Sequence, residues 1–417
     1  MAKASSLLLA GFLLAACNCA DPVVRASPGG DAGPDAPSVM DATHDEHDAA
    51  TADMPEPRER DAYLPRDPPP DPAPHACAGG TSMRRLHESV SRSMGRSAIG
   101  TARWGDGLAL TWQELPPGGA WRTYAGWLAD PVAGALDVGS VLLGGAQAFV
   151  TTSDGRLRAV SPTAYADVSD GRLGPIVELP PRPTGFDRAF PFMVPPCRGA
   201  EAVAMLLERD DADDMLSVLA WIDGEPRWYE PANVPGAEVL FCAAVGDSVF
   251  VGRRAEAAGG LVFAQWTSDG TLLRSDGRID TGGGTYVEAD VVLDVEGRAT
   301  VVTAAWSDLD DPRFAAHSLD ADGPRFLAET TVETFGPPYH MLGAGTLRDK
   351  VVIAYYARYL TSIDFDPATG AFGAPALVAD HPCFGYTNTV TLPSGVYAAL
   401  ECYFEEVWLL RMCGDTP

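Results

Sequence analysis

Seven short apolar stretches recur along the chain, each just behind a turn-forming cluster. They are "GLALTWQE" from Gly107, "QAFVTTSD" from Gln147, "AVAMLLER" from Ala202, "SVFVGRRA" from Ser248, "ATVVTAAW" from Ala299, "VVIAYYAR" from Val351 and "GVYAALEC" from Gly395. Their starts lie 40, 55, 46, 51, 52 and 44 residues apart, a loose period in which each repeat has room for one small sheet. The turns before them include Gly105-Asp106-Gly107, Gly144-Gly145, Gly246-Asp247 and Pro393-Ser394. Another β-like run precedes each turn, as in "AIGTARW" and "YVEADVVLD", which is the signal of a hairpin. A third run follows, as in "LSVLAWIDG" and "LVFAQWTSDG", and usually a fourth, as in "PRWYEP" and "PRFLAET". No stretch sustains a 3.6-residue apolar period, so helices should be few.

Four strands per unit and seven units resemble a seven-bladed β-propeller, from about Cys77 to Cys413. The resemblance is architectural. The WD dipeptide and a regular Gly-Gly kelch pattern are absent. The "SDG" turns, as at Ser268-Asp269-Gly270, lack the aromatic residue that the sialidase Asp-box carries at fixed spacing. Six or eight blades, or two packed sandwiches, stay open as alternatives. The expected fold class is therefore all-β, a β-propeller preceded by a disordered tether. The expected division is a signal peptide at 1–16, a lipidated linker at 17–76 and the propeller at 77–417.

The cysteines bear on this architecture. The chain has eight, of which six lie in the repeating region: Cys77, Cys197, Cys242, Cys383, Cys402 and Cys413. An even set in an exported chain reads as disulfides. The propeller resemblance implies their pairing. Cys197 and Cys242 would sit on innermost strands of neighbouring blades, and Cys383 and Cys402 would flank one hairpin turn. Cys77 and Cys413 would join the two ends. The last unit lacks a fourth strand, and "SMRRLHESVSR" after Cys77 is placed to supply it.

The N-terminus carries an address. Lys3 precedes an apolar run, Leu7 to Leu14, far shorter than the roughly 20 residues a bilayer span needs. It fits a signal peptide instead. Leu14-Ala15-Ala16-Cys17 resembles the lipobox of bacterial lipoproteins. That resemblance implies diacylglyceryl transfer to the Cys17 thiol, cleavage before it, and acylation of the new amino terminus, with palmitate-type chains anchoring the protein. Two or more such chains hold a protein stably on a membrane. Asn18, where inner-membrane retention favours Asp, leans toward the outer membrane. From Ala20 to about Ala76 prolines crowd together, acids outnumber bases about three to one, and aromatic residues are nearly absent. Such a segment buries too little apolar surface to offset its ordering entropy. Extended at roughly 3.1 Å per residue, it would reach well over 100 Å.

A formal net charge of -27 argues against nucleic acid, whose binding needs cation clusters. No C-x-x-C, G-x-S-x-G, H-E-x-x-H, phosphate loop or helix-opening dinucleotide fingerprint occurs. "TGGGTY" at Thr281 to Tyr286 reads as a turn between β-like runs. Acidic clusters follow several second strands: Glu208 to Asp214, "SDLDDP" from Ser307, and Glu405-Glu406. They read first as a solvated rim. Their oxygens could also bind calcium or provide a glycosidase carboxylate pair, and no cofactor or metal ligand is otherwise assigned. Loops leading into innermost strands hold aromatic residues: Tyr286, Tyr339, His340, Phe384 and Tyr386. In a closed ring these would gather at the channel mouth as a ligand-binding set, with no catalytic residue assigned. The expected function is a membrane-anchored surface or periplasmic lipoprotein acting as a protein- or glycan-binding platform. The alternative is a tethered hydrolase acting on polysaccharide or another extracellular substrate.

Overall fold

The computed structural model describes residues 82–88, 100–114, 122–140, 148–152, 155–169, 172–192, 197–209, 213–236, 238–255, 260–281, 283–307, 312–332, 340–347, 349–356, 360–379, 383–384, 389–402 and 406–412. The chain divides into two compact units, 1–64 and 65–417, and every described residue belongs to the second. Cys17, Cys77, Cys413 and the expected signal and linker segments lie outside the described residues.

The described strands form seven sheets, antiparallel except where Cys197–Arg198 joins the fourth blade in parallel, and none of the described residues is helical. The sheets are blades of a β-propeller. First strands of successive blades touch all the way round, from Gly100–Trp104 through Ala148–Thr151, Val239–Val245, Tyr286–Leu293, His340–Leu347 and Thr389–Leu392 back to Gly100–Trp104. In the third blade the chain makes this contact through Cys197–Arg198 and Ala202–Glu208. Seven blades follow, and the alternatives of six, eight or two sandwiches fall away.

Ring closure uses both ends of the sheet-forming region. Blade 7 comprises Thr389–Leu392, Gly395–Cys402 and Glu406–Met412, and its outer strand is Ser82–Glu88 from the N-terminal side. Ser82 pairs with Arg411 and Glu88 with Glu406, antiparallel. Thus the segment after Cys77 does supply the missing strand. Arg84 extends the clasp to blade 1: its Nη1 donates to Gly134 O at 2.6 Å and its Nη2 to Pro131 O at 3.0 Å.

The second strands explain why the repeat was visible. Ala299–Trp306 is buried along its whole length, and Ala202–Glu208, Ser248–Arg254 and Lys350–Tyr356 nearly so. A strand covered on both faces reads as a continuous apolar run rather than an alternation. Outer strands such as Leu272–Ile279 are mostly exposed and carry little signal. Apolar clusters fill the spaces between neighbouring blades all the way round, including the junction of blades 7 and 1 at Trp112, Leu110, Val407 and Ala399. Each buried large apolar side chain contributes about 1.5–3 kcal/mol, so the stabilisation is shared among all junctions.

One phase assignment needs correction. "QAFVTTSD" is the first strand of blade 2, not the second: the sheet order places Ala148–Thr151 at the channel edge and Leu157–Val160 beside it. The turn is at Thr152 to Arg156, where Gly155 adopts φ +78° and Thr152 N donates to Arg156 O. With Leu157 as the second-strand start, the uneven spacings of 40 and 55 become 50 and 45.

Candidate functional site

The chain enters each first strand at one face of the ring, here called upper, and leaves it at the lower face. The connections between second and third strands also lie on the upper face. The acidic clusters after Glu208 and Ser307 occupy such connections. Glu406 opens the third strand of blade 7 at the same face, where it accepts from Arg85 at 3.0 Å and from Trp408 Nε1 at 2.7 Å.

Of the five expected ligand residues, Tyr286 is fully described. It opens the first strand of blade 5 opposite Trp306, is 45% exposed, and lies flat against the Trp306 ring with centroids 5.9 Å apart. Gly284, φ +123°, brings the chain so close to the Trp306 backbone that a Cβ would meet its nitrogen at 2.9 Å. The glycine run is thus the inlet turn that seats Tyr286. Beside it, Arg254 of blade 4 donates through Nε to Val287 O at 2.8 Å, and its Nη2 lies 3.3 Å from Glu238 and 3.8 Å from Glu288. His340 opens the first strand of blade 6, and Phe384 pairs with Glu401 in blade 7; their side chains, like Tyr339 and Tyr386, lie outside the described residues.

At the upper face of blade 3, Glu208 and Asp214 flank the acidic connection. Burial holds both carboxyls above their ordinary range, and each gains a further push from a neighbouring carboxylate, Asp214 on Glu208 and Asp213 on Asp214. Arg188 and Arg253 oppose this. Among the described residues, no group of three or more His, Cys, Asp or Glu is placed to hold a metal ion.

Deeper in the channel lies a group that the sequence reading did not single out. Arg198 Nη2 is within 3.4 Å of five acceptors: both oxygens of Asp290, the carbonyls of Ala344 and Thr389, and Thr389 Oγ1. Asp290 also accepts from the Ala344 and Val291 N–H groups, each at 2.7 Å. Thr389 Oγ1 donates to Ala344 O in a short contact. Burial pushes the Asp290 carboxyl above its ordinary range, while the Arg198 charge and the two amides pull it back. This lacing draws together blades 5, 6 and 7 with the strand that enters blade 3. Gly343, φ +136°, makes room for it: a Cβ there would meet Thr389 Cγ2 at 3.0 Å and Asp290 Oδ2 at 3.3 Å. A sequence signal existed. Glu288 and Asp290 interrupt an apolar first strand, and a buried charge requires a partner.

The residue before Arg198 is held covalently. Cys197–Arg198 pairs parallel to blade 4, with Cys197 opposite Cys242, and the two form a disulfide. Cys383 is opposite Cys402 in the antiparallel register of blade 7.

The sequence matches no known family, and no curated protein resembles it. Solved structures share the fold. A fungal alcohol oxidase in complex with copper aligns over 82% of this chain and 77% of its own at 12% identity and TM-score 0.50. Virginiamycin B lyase from Staphylococcus aureus aligns over 80% and 99% at 10% identity and TM-score 0.48. The Hadza microbial sialidase Hz136 aligns over 76% and 65% at 11% identity and TM-score 0.46. The seven-bladed β-propeller is shown by the chain's own sheets and the contacts between their first strands, and at these identities the likeness extends to the fold alone.

Proposed function

We propose that this protein is an exported, lipid-anchored binding platform that grips a glycan or protein ligand at the upper mouth of its channel. The observation that carries this reading is the Tyr286–Trp306 stack. Trp306 is buried and fixes the ring of Tyr286, which presents an open face to solvent. Aromatic faces stack on apolar sugar faces and grip side chains, and the phenol adds a polar tip. Arg254 and Glu238, partly exposed next to it, supply hydrogen-bonding groups on a rigid support. Asp290, by contrast, has its oxygens committed to Arg198 and two amides, so it is poorly suited to acid–base work.

The test is a glycan array and a surface-protein capture, with wild type compared with Tyr286→Ala and with Tyr339→Ala plus Tyr386→Ala. The expected result is binding by wild type, weakened about tenfold or more by Tyr286→Ala at an unchanged melting temperature. Folded variants that keep every interaction would place the site elsewhere.

A second reading, the tethered hydrolase, draws on Glu208 and Asp214. Two neighbouring carboxyls with raised pKa resemble the acid partner of a glycosidase pair. Turnover of a chromogenic glycoside by wild type, lost in Glu208→Gln, would replace the binding reading with this one.

A further inference from the structure

The lower half of the channel holds a cavity of about 510 Å³, walled by residues from the first strands and first turns of six of the seven blades. It lies at the opposite mouth from Tyr286. Threonine hydroxyls recur around the wall: Thr151 of blade 2, Thr346 of blade 6, and Thr389 and Thr391 of blade 7 are among them. Two cations, Arg103 and Arg198, line it as well. Glu201 is the one carboxylate of the wall among the described residues, and it lies 3.5 Å from Arg158.

Arg198 is the informative member. Every hydrogen bond that it makes to a described residue passes through Nη2. Its Nε is enclosed without a partner and out of reach of the cavity, so Nη1, which carries no bond to a described residue, is the prong left for a ligand. A guanidinium offers five donors in a planar fork that suits a carboxylate. Here the fork is anchored on one prong by Asp290, and its neighbour Cys197 is fixed by a disulfide. A donor held in that way needs no reorganisation to receive an anion. The volume falls within the range of small-molecule sites, roughly 300–1,000 Å³.

We infer that this cavity binds a small polyhydroxylated carboxylate, a sugar acid in size and chemistry, with the carboxylate on Arg198 and the hydroxyls on the threonine wall. The overall charge of -27 does not oppose this at close range. Charges farther away than about 8–10 Å are screened at physiological salt; within that range Asp290 balances Arg198 and Glu201 stands on the wall, so the anion is received as a charge-assisted hydrogen bond on the guanidinium rather than by a net positive field. The site is separate from the upper-face reading and stands or falls without it.

The experiment titrates the full chain with D-glucuronate and D-gluconate, with D-glucose as neutral control, by calorimetry and ligand-observed NMR. Thr151→Trp fills the cavity from an exposed position that takes no part in the Arg198 lacing. Arg198→Lys keeps the charge but removes the fork. The expected result is millimolar or tighter binding of at least one acid, with glucose about tenfold weaker or worse. Binding falls about tenfold or more in Thr151→Trp with the melting temperature unchanged, and falls also in Arg198→Lys. Tyr286→Ala leaves the titration as in wild type. The inference is overturned if neither acid binds up to about 10 mM, if glucose binds equally well, or if Thr151→Trp binds like wild type.

Discussion

Arg198 and Asp290 are 92 residues apart in the chain and meet in the channel with Nη2 3.2 Å from Oδ2. Both side chains are largely withdrawn from water, at 17% and 6% exposure. Removing one partner of such a pair strands the other charge, which typically costs about 3–5 kcal/mol. Arg198→Met should therefore lower stability by about that amount in urea titrations. Arg198→Met with Asp290→Leu should recover much of the loss, because no buried charge is left. A double variant no more stable than Arg198→Met would show that the cost comes from packing instead.

The Cys197–Cys242 disulfide closes a loop of 45 residues and joins the strand before blade 3 to the first strand of blade 4. Replacing both cysteines with serine should cost about 2–4 kcal/mol. Because Cys197 adjoins Arg198, its effect and that of Arg198→Met should not add. Coupling of about 0.5–3 kcal/mol is expected in the cycle. Strict additivity would mean that the disulfide does not help to position the guanidinium.

Arg84 ties the N-terminal strand of blade 7 to the turn after the third strand of blade 1, through three carbonyls at Asp130, Pro131 and Gly134. The side chain is partly exposed, which limits the worth of these bonds. Arg84→Met should cost about 1–2 kcal/mol and speed exchange of the 82–88 amides more than those of blades 3 to 5. Hydrogen exchange with mass spectrometry reads this directly. Uniform acceleration in all blades would indicate that the clasp opens only with global unfolding.

What could be read from the sequence follows burial. Second strands such as Ala299–Trp306 are covered on both faces, so their apolar runs stand out and set the blade count. In blade 2 the first strand, Ala148–Thr151, is itself well buried, so in sequence it reads like a second strand. Exposed outer strands leave no such trace. The disulfide Cys197–Cys242 and the closing strand Ser82–Glu88 were legible because a ring forces neighbours together. The Arg198–Asp290 lacing was not, because its partners come from distant repeats and no local spacing links them. Tyr286 was legible as an exposed aromatic at an inlet, but its support by Trp306 depends on strand register.

His317 in the third strand of blade 5 introduces a pH dependence. It is 3% exposed, its ring lies edge-on to Phe326, and its Nε2 is buried without a partner. Burial holds its pKa below the ordinary 6.5, against a smaller upward pull from Asp280. The unfolded chain therefore binds more protons than the native state between that lowered pKa and 6.5. Stability from this residue is intact above 6.5 and falls as pH drops through the window. His317→Phe should flatten that part of the stability–pH profile relative to wild type. An unchanged slope between pH 6.5 and 5 would assign the loss to other groups.

The anchor has a direct test of its own. Leu14-Ala15-Ala16-Cys17 resembles a lipobox, and the thiol at Cys17 is the atom that lipidation would alkylate. Wild type should label with palmitate and partition with membranes into detergent. Cys17→Ser removes the nucleophile, so the precursor should stay uncut or the protein should be released to the soluble fraction. The propeller itself should be unaffected, since the described sheets are built from residues 82–412 and close on one another without position 17. Spectra and melting temperature of the variant domain should match wild type, which separates loss of the anchor from misfolding. A Cys17→Ser protein that matures and partitions like wild type would overturn the lipoprotein reading, and with it the role proposed for residues 17–76 as a tether.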